Sequence, residues 1–136
     1  IEFNLAYFLP IKNGADWISE NGEVVTNNIL TKASTSPFKY AYCSDTAYEP
    51  AISEKLTKIK ILYPESTFLE KHVHLAKKTK HSTALQASKI AKAANVNKLI
   101  LGHFSARYKD LNEFKIEAQS NFKNTFLAQE GELFTF

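Results

Sequence analysis

Three short apolar runs, each closed by a polar cluster, constrain what this chain can fold into. Phe38-Lys39-Tyr40-Ala41-Tyr42-Cys43 leads into Ser44-Asp45-Thr46. Ile59-Lys60-Ile61-Leu62-Tyr63 leads through Pro64 into Glu65-Ser66-Thr67, and Lys98-Leu99-Ile100-Leu101 into Gly102-His103-Phe104-Ser105. Runs this short, rich in branched and aromatic side chains, read as strands. Helical patterns separate them. Residues 51–58 suit a short helix, and residues 82–94 a longer one, with Thr83 and Gln86 spaced as a capping box. On that longer helix Ala87, Ile90, Ala91 and Ala94 line one face, and Asn95 ends it. Residues 111–122 form a further helix, and 125–128 with 133–136 read as a terminal hairpin around Glu130-Gly131. Alternation of strand and helix is the α/β pattern. Ligands in such sheets gather at the carboxyl ends of the strands, so Asp45, Glu65 and His103 are expected at one edge.

The chain ahead of this pattern is less regular. Residues 1–9 are apolar and aromatic enough for a strand, 12–17 for one helical turn, and Asn21-Gly22 marks a tight turn before Glu23-Val24-Val25. Residues 1–36 are therefore read as an irregular segment and 37–136 as the domain proper. The composition of the 136 residues, 44% hydrophobic and 23% charged, suits one modest domain with a core rather than a disordered chain. No run approaches the roughly 18 apolar residues of a membrane span. With one cysteine, Cys43, there is no intrachain disulfide, which fits a reducing cytoplasm. Net charge is +3, which permits a polyanionic partner without requiring one. The chain opens on Ile1 and lacks methionine, so it is expected to continue upstream. Of 17 Lys and Arg residues only Arg107 is arginine, the side chain that grips phosphate through two parallel hydrogen bonds.

Taken singly, the candidate residues have ordinary explanations. Asp45 could cap a turn after a strand, His103 could be a partly buried structural histidine, and Arg107 could sit in a salt bridge. Taken in order, Tyr42-Cys43-Ser44-Asp45-Thr46, Tyr63-Pro64-Glu65-Ser66-Thr67-Phe68, His81-Ser82-Thr83-Ala84 and Gly102-His103-Phe104-Ser105-Ala106-Arg107-Tyr108 form a series. That series resembles the ribonuclease Z branch of the metallo-β-lactamase superfamily over roughly residues 38–136.

The resemblance implies the second half of an αββα sandwich, a mixed sheet with flanking helices. It implies a zinc-dependent endoribonuclease that matures the 3′ end of precursor tRNA by hydrolysis after the discriminator base. It implies two zinc ions in the complete enzyme, with Asp45 matching the aspartate that bridges them, His103 matching a ligand of one, and the other ligands expected outside this chain. His81 matches a catalytic histidine that is not a ligand, which supplies a proton or hydrogen bond to the leaving ribose oxygen. Glu65 matches the acidic residue that orients and charges it. The sequence departs from the family's His-Glu-Ala-Thr motif here, with Pro64 for histidine and Ser66 for alanine. Arg107, and Ser105 beside it, match the substrate-phosphate clamp. The implied partners are precursor tRNA, the N-terminal half of the same protein with its tRNA-gripping arm, and a second copy in a homodimer.

His72-Val73-His74 mimics the superfamily's His-x-His-x-Asp-His motif, but Ala76 and Lys77 stand where Asp and His are needed. Both histidines are read as loop residues. The lysines at 71, 77, 78 and 80 lead into His81 and suit either a solvated face or an RNA backbone contact. Two other readings stay open: a related hydrolase of small phosphodiesters, and a non-catalytic RNA-binding or assembly module.

Overall fold

The computed structural model describes residues 5–32 and 37–134, and the chain divides into two compact units, 1–37 and 38–136. In the first, a 3-10 turn over Leu5–Tyr7 runs into helix α1 (Phe8–Lys12). The strand expected over residues 1–9 is therefore not formed by its described part; Pro10 falls inside the helix. Strands β1 (Trp17–Ile18) and β2 (Val24–Val25) pair antiparallel across Asn21-Gly22. Gly22 has φ of 83°, the left-handed conformation the turn needs. Helix α2 (Asn27–Leu30) is tied back by Asn27, whose amide donates to the carbonyls of Ile11 at 2.6 Å and Ala15 at 2.9 Å.

The second unit is built on a four-stranded sheet. Strands β3 (Tyr40–Cys43), β4 (Ile61–Pro64), β5 (Lys98–Leu101) and β6 (Thr125–Leu127) lie in chain order, every pair parallel. The connections are helical: α3 (Ile52–Lys55) after β3, α4 (Val73–Thr79) and α5 (Ala84–Ala93) after β4, α6 (Asn112–Gln119) after β5. A parallel pair requires such a crossover. Residues 125–128, expected in a hairpin, instead pair in parallel with β5, because Thr125 and Leu127 pack inward beneath α6. Of the expected partner, 133–136, residues 133 and 134 are not in a strand, and 135 and 136 lie outside the described residues.

One face of the sheet carries the core. Leu62, Leu99 and Leu101 are fully buried against Ala87, Ile90 and Ala91 of α5 and Phe114 and Ala118 of α6. The capping box at the start of α5 forms as its spacing predicts: Thr83 Oγ1 accepts from Gln86 N at 3.1 Å, and Gln86 Oε1 from Thr83 N at 3.0 Å. Asn95, φ 51°, terminates the same helix in the left-handed conformation. Helix α4 arises where a loop was expected. Only Ala76 of its seven residues is buried, so it leaves almost no apolar periodicity to read. Among the described residues no helix is long and apolar enough to cross a membrane.

Candidate active site

The carboxyl ends of β3, β4 and β5 deliver the functional groups. Asp45 and His103 follow β3 and β5, and both adopt the left-handed backbone conformation, φ 51° and 59°. Holding a non-glycine residue there costs roughly 1–3 kcal/mol, and both strained residues point into one cluster. Asp45 Oδ1 lies 3.1 Å from His103 Nε2 and 4.0 Å from His81 Nδ1. His81 arrives from the other side, just past Lys80, which closes α4 at φ 60°.

Glu65 is the buried anchor. Its carboxylate, with no solvent exposure, accepts from Thr46 N at 2.8 Å, Ser82 N at 3.2 Å and Thr67 N at 3.3 Å. The Thr67 hydroxyl donates to Oε2 at 2.5 Å, and His81 Nδ1 lies 2.8 Å from Oε1. An ionised carboxylate can be buried when donors surround it in this way. Its backbone is fixed as well. Glu65 N donates to Cys43 O at 2.7 Å, and Ser66 N and Oγ both donate to Gly102 O, at 2.8 and 3.0 Å. Pro64 does not disturb the loop: it ends β4 opposite Cys43, and the next residue supplies the ladder donor. A Cβ at Gly102 would overlap the Tyr63 hydroxyl, so any larger residue there would have to displace that ring.

The loop carrying His103 is anchored through aromatic rings. Phe104 and Tyr108 each pack edge-on against fully buried Phe114 at 4.8 Å between centroids. Arg107, on the same loop, is exposed; its guanidinium sits over the Phe68 ring at 5.1 Å and its Nε donates to Ser105 Oγ at 3.2 Å. Phe68 in turn lies 6.3 Å from the His81 ring. Among the described residues no carboxylate lies within ion-pair distance of Arg107. His72 and His74 are not in a loop: His72 ends a 3-10 turn over Glu70–His72, and His74 lies in α4. His72 Nδ1 pairs with the Tyr108 hydroxyl at 2.6 Å, and neither histidine joins the cluster.

Asp45, His81 and His103 can hold a metal ion: their ligand-type atoms all lie within 4.8 Å of one another, the one such group among the described residues. The chemistry of the donors fits. A metal bound to nitrogen and oxygen at about 2.0–2.2 Å keeps adjacent ligand atoms roughly 3 Å apart, as Asp45 Oδ1 and His103 Nε2 are. His81 Nδ1 is engaged by Glu65, so Nε2 is the ring nitrogen it has left for a metal or for a proton. One contributor was passed over in the sequence. Thr67 Oγ1 lies 2.8 Å from His103 Nδ1 and 3.3 Å from His81 Nδ1 while donating to Glu65. The available signal was its place two residues after Glu65 at a strand end, which puts its side chain on the same side of the chain.

No family model matches the chain. It is 49% identical over 121 residues to the ribonuclease Z of Bacteroides fragilis strain YCH46, covering 89% of this chain and 40% of that protein. To the ribonuclease Z of Parabacteroides distasonis it is 47% identical over 121 residues, again 89% and 40%. The chain thus spans about 40% of the length of these curated relatives. Among solved structures it is similar to YhfI, a metallo-β-lactamase fold protein from Bacillus subtilis, with TM-score 0.64 and 22% identity over 68% of this chain and 38% of that one. It is also similar to the short form of human tRNase Z, TM-score 0.57 and 21% identity, covering 82% and 36%. The α/β architecture is therefore part of a metallo-β-lactamase fold.

Proposed function

From a chain homologous to ribonuclease Z along most of its length, we infer that residues 37–136 are the C-terminal half of a metallo-β-lactamase-like domain. Residues 1–36 then follow the N-terminal half and its substrate arm. The whole protein is a cytoplasmic zinc-dependent endoribonuclease that removes the 3′ trailer of precursor tRNA after the discriminator base, as a homodimer. The observation that carries this reading is the pair of ligand-type atoms, Asp45 Oδ1 and His103 Nε2, held 3.1 Å apart beside a carboxylate-bound histidine. A proton on Nε2 can join the two when no metal is bound, and a metal ion can take that proton's place.

In this reading Asp45 and His103 hold zinc, together with ligands from the rest of the protein. Bound zinc supplies a Lewis acid and lowers the pKa of coordinated water to about 7. The remaining roles fall to the chain's own side chains. Glu65 holds His81 through Nδ1, so His81 Nε2 is the nitrogen left to carry a proton to the departing ribose 3′ oxygen. The Glu65 charge stabilises the imidazolium before transfer. Arg107, held over Phe68 and by Ser105 through Nε, has its terminal guanidinium nitrogens left to grip a backbone phosphate.

In the full-length protein, His81→Ala should lower precursor cleavage by about 10²–10⁴-fold, the range of a general acid, while zinc content stays unchanged. Asp45→Ala should lower both. Metal analysis alongside the cleavage assay decides it: loss of a zinc equivalent from the His81 variant would make that residue a ligand and the assignment wrong.

A further inference from the structure

Resting on the reading of Asp45 and His103 as metal ligands, we propose that Thr67 is a positioning residue whose hydroxyl fixes the His103 tautomer, keeping Nε2 free for the metal. The argument is one of counting protons. The Glu65 carboxylate can only accept, and the Thr67 hydroxyl lies 2.5 Å from its Oε2. A hydroxyl has one proton, so that proton is committed to Glu65. The Thr67 oxygen still has lone pairs, and it lies 2.8 Å from His103 Nδ1. That contact is a hydrogen bond only if Nδ1 carries the proton. Neutral His103 then presents an unprotonated Nε2, the atom 3.1 Å from Asp45 Oδ1. Without metal, Asp45 would accept a proton from Nε2, so the two contacts favour opposite tautomers; the Thr67 contact is the buried one, and Asp45 is exposed. A neutral histidine in water prefers the opposite arrangement, with the proton on Nε2, so the protein must impose this one.

Glu65 thus sets the tautomers of two histidines by different routes. It acts on His81 directly, at 2.8 Å, and on His103 through Thr67. Thr67 is buried, and its own N–H also donates to Glu65 at 3.3 Å, so the hydroxyl has little freedom to turn elsewhere. A metal-bound histidine that donates its second nitrogen to a fixed partner is oriented and made more basic, and removing such a partner typically costs 10–100-fold in metal affinity.

The test compares the full-length protein with its Thr67→Val and Thr67→Ser variants by imidazole ¹⁵N spectroscopy without metal, at a pH above the ordinary imidazole range, and by zinc titration. Wild type and Thr67→Ser should show His103 with its proton on Nδ1. Thr67→Val should move His103 toward the Nε2-protonated form, leave the His81 tautomer unchanged, and bind zinc 10–100-fold more weakly. A shift of both histidines would mean general damage to the site and would overturn the proposal, as would an unshifted His103 in Thr67→Val. Failure of wild type to bind zinc at all, with the His103 tautomer as stated, would instead count against the metal site and leave the Thr67 contact standing.

Discussion

Arg107 shows how a side chain gains meaning from its surroundings. The sequence marks it only as the lone arginine, four residues past His103. The structure adds an aromatic platform, Phe68, and a hydroxyl partner, Ser105. A guanidinium can stack flat on a ring and still donate from its edge; an ammonium cannot do both. Arg107→Lys in the full-length protein should therefore weaken precursor binding by roughly 1–3 kcal/mol, the scale of a charge-assisted hydrogen bond, with charge unchanged. Equal affinities in a binding titration would remove Arg107 from the clamp. That Asp45, Glu65, His81 and His103 come together was readable because residue types suited to metal and proton chemistry stand beside strand ends in a recognisable order. Thr67 was not, because a threonine gains a role only from the two groups its single oxygen joins, and that depends on angles a one-dimensional pattern does not contain.

At the level of elements, Glu117 links pieces that sequence reading treats separately. From α6 its carboxylate accepts from Leu85 N at 3.0 Å, in the first turn of α5, and from Glu70 N at 2.9 Å, where the 3-10 turn begins. A negative charge at a helix start is favourable, yet burial pushes this carboxyl above its ordinary range, the backbone donors offsetting only part of the effect. Because the folded value is raised, the folded protein binds the proton more tightly than the unfolded chain does. Stability from this group is thus greatest at low pH and declines as pH rises from the ordinary glutamate value, about 4.3, to the raised one. Other acids contribute their own slopes, so the measurement is a difference. The Tm of wild type minus that of Glu117→Gln should shrink as pH increases across that window; a constant difference would refute the assignment. Helix α5 was readable because cap, periodicity and terminator agree within its own sequence. Helix α4 and the parallel pairing of β6 were not: α4 buries a single residue, and β6 is set by what lies beneath α6, information distant along the chain.

Considered whole, residues 38–136 have a finished sheet face and one only partly covered, where Ile61 and Ile100 are buried beside exposed aromatic rings. Helices cover the side of the sheet that carries Leu62, Leu99 and Leu101. The opposite side shows Tyr40 at 64% and Tyr42 at 63% exposure, with Phe126 at 37%. Tyr42 stacks on Tyr63 at 4.8 Å, and Lys98 lies over Phe126 at 5.4 Å, so the open face is ordered but aromatic. The active-site edge is similarly one-sided. A catalytic zinc usually has three protein ligands plus a water, and a two-metal site needs more. With His81 read as the proton carrier, this edge offers Asp45 and His103. Two ligands should hold zinc weakly and leave no hydroxide placed for in-line attack. The 136-residue chain by itself should therefore fail to trim precursor tRNA even with added zinc. The remainder of a ribonuclease Z supplied in trans should cover the aromatic face, complete the ligand set and restore both tight zinc binding and cleavage. A cleavage assay on the purified chain checks this directly. Robust trimming after the discriminator base, with full-length enzyme excluded, would mean that the residues at this one sheet edge suffice and that the division of ligands argued here is wrong.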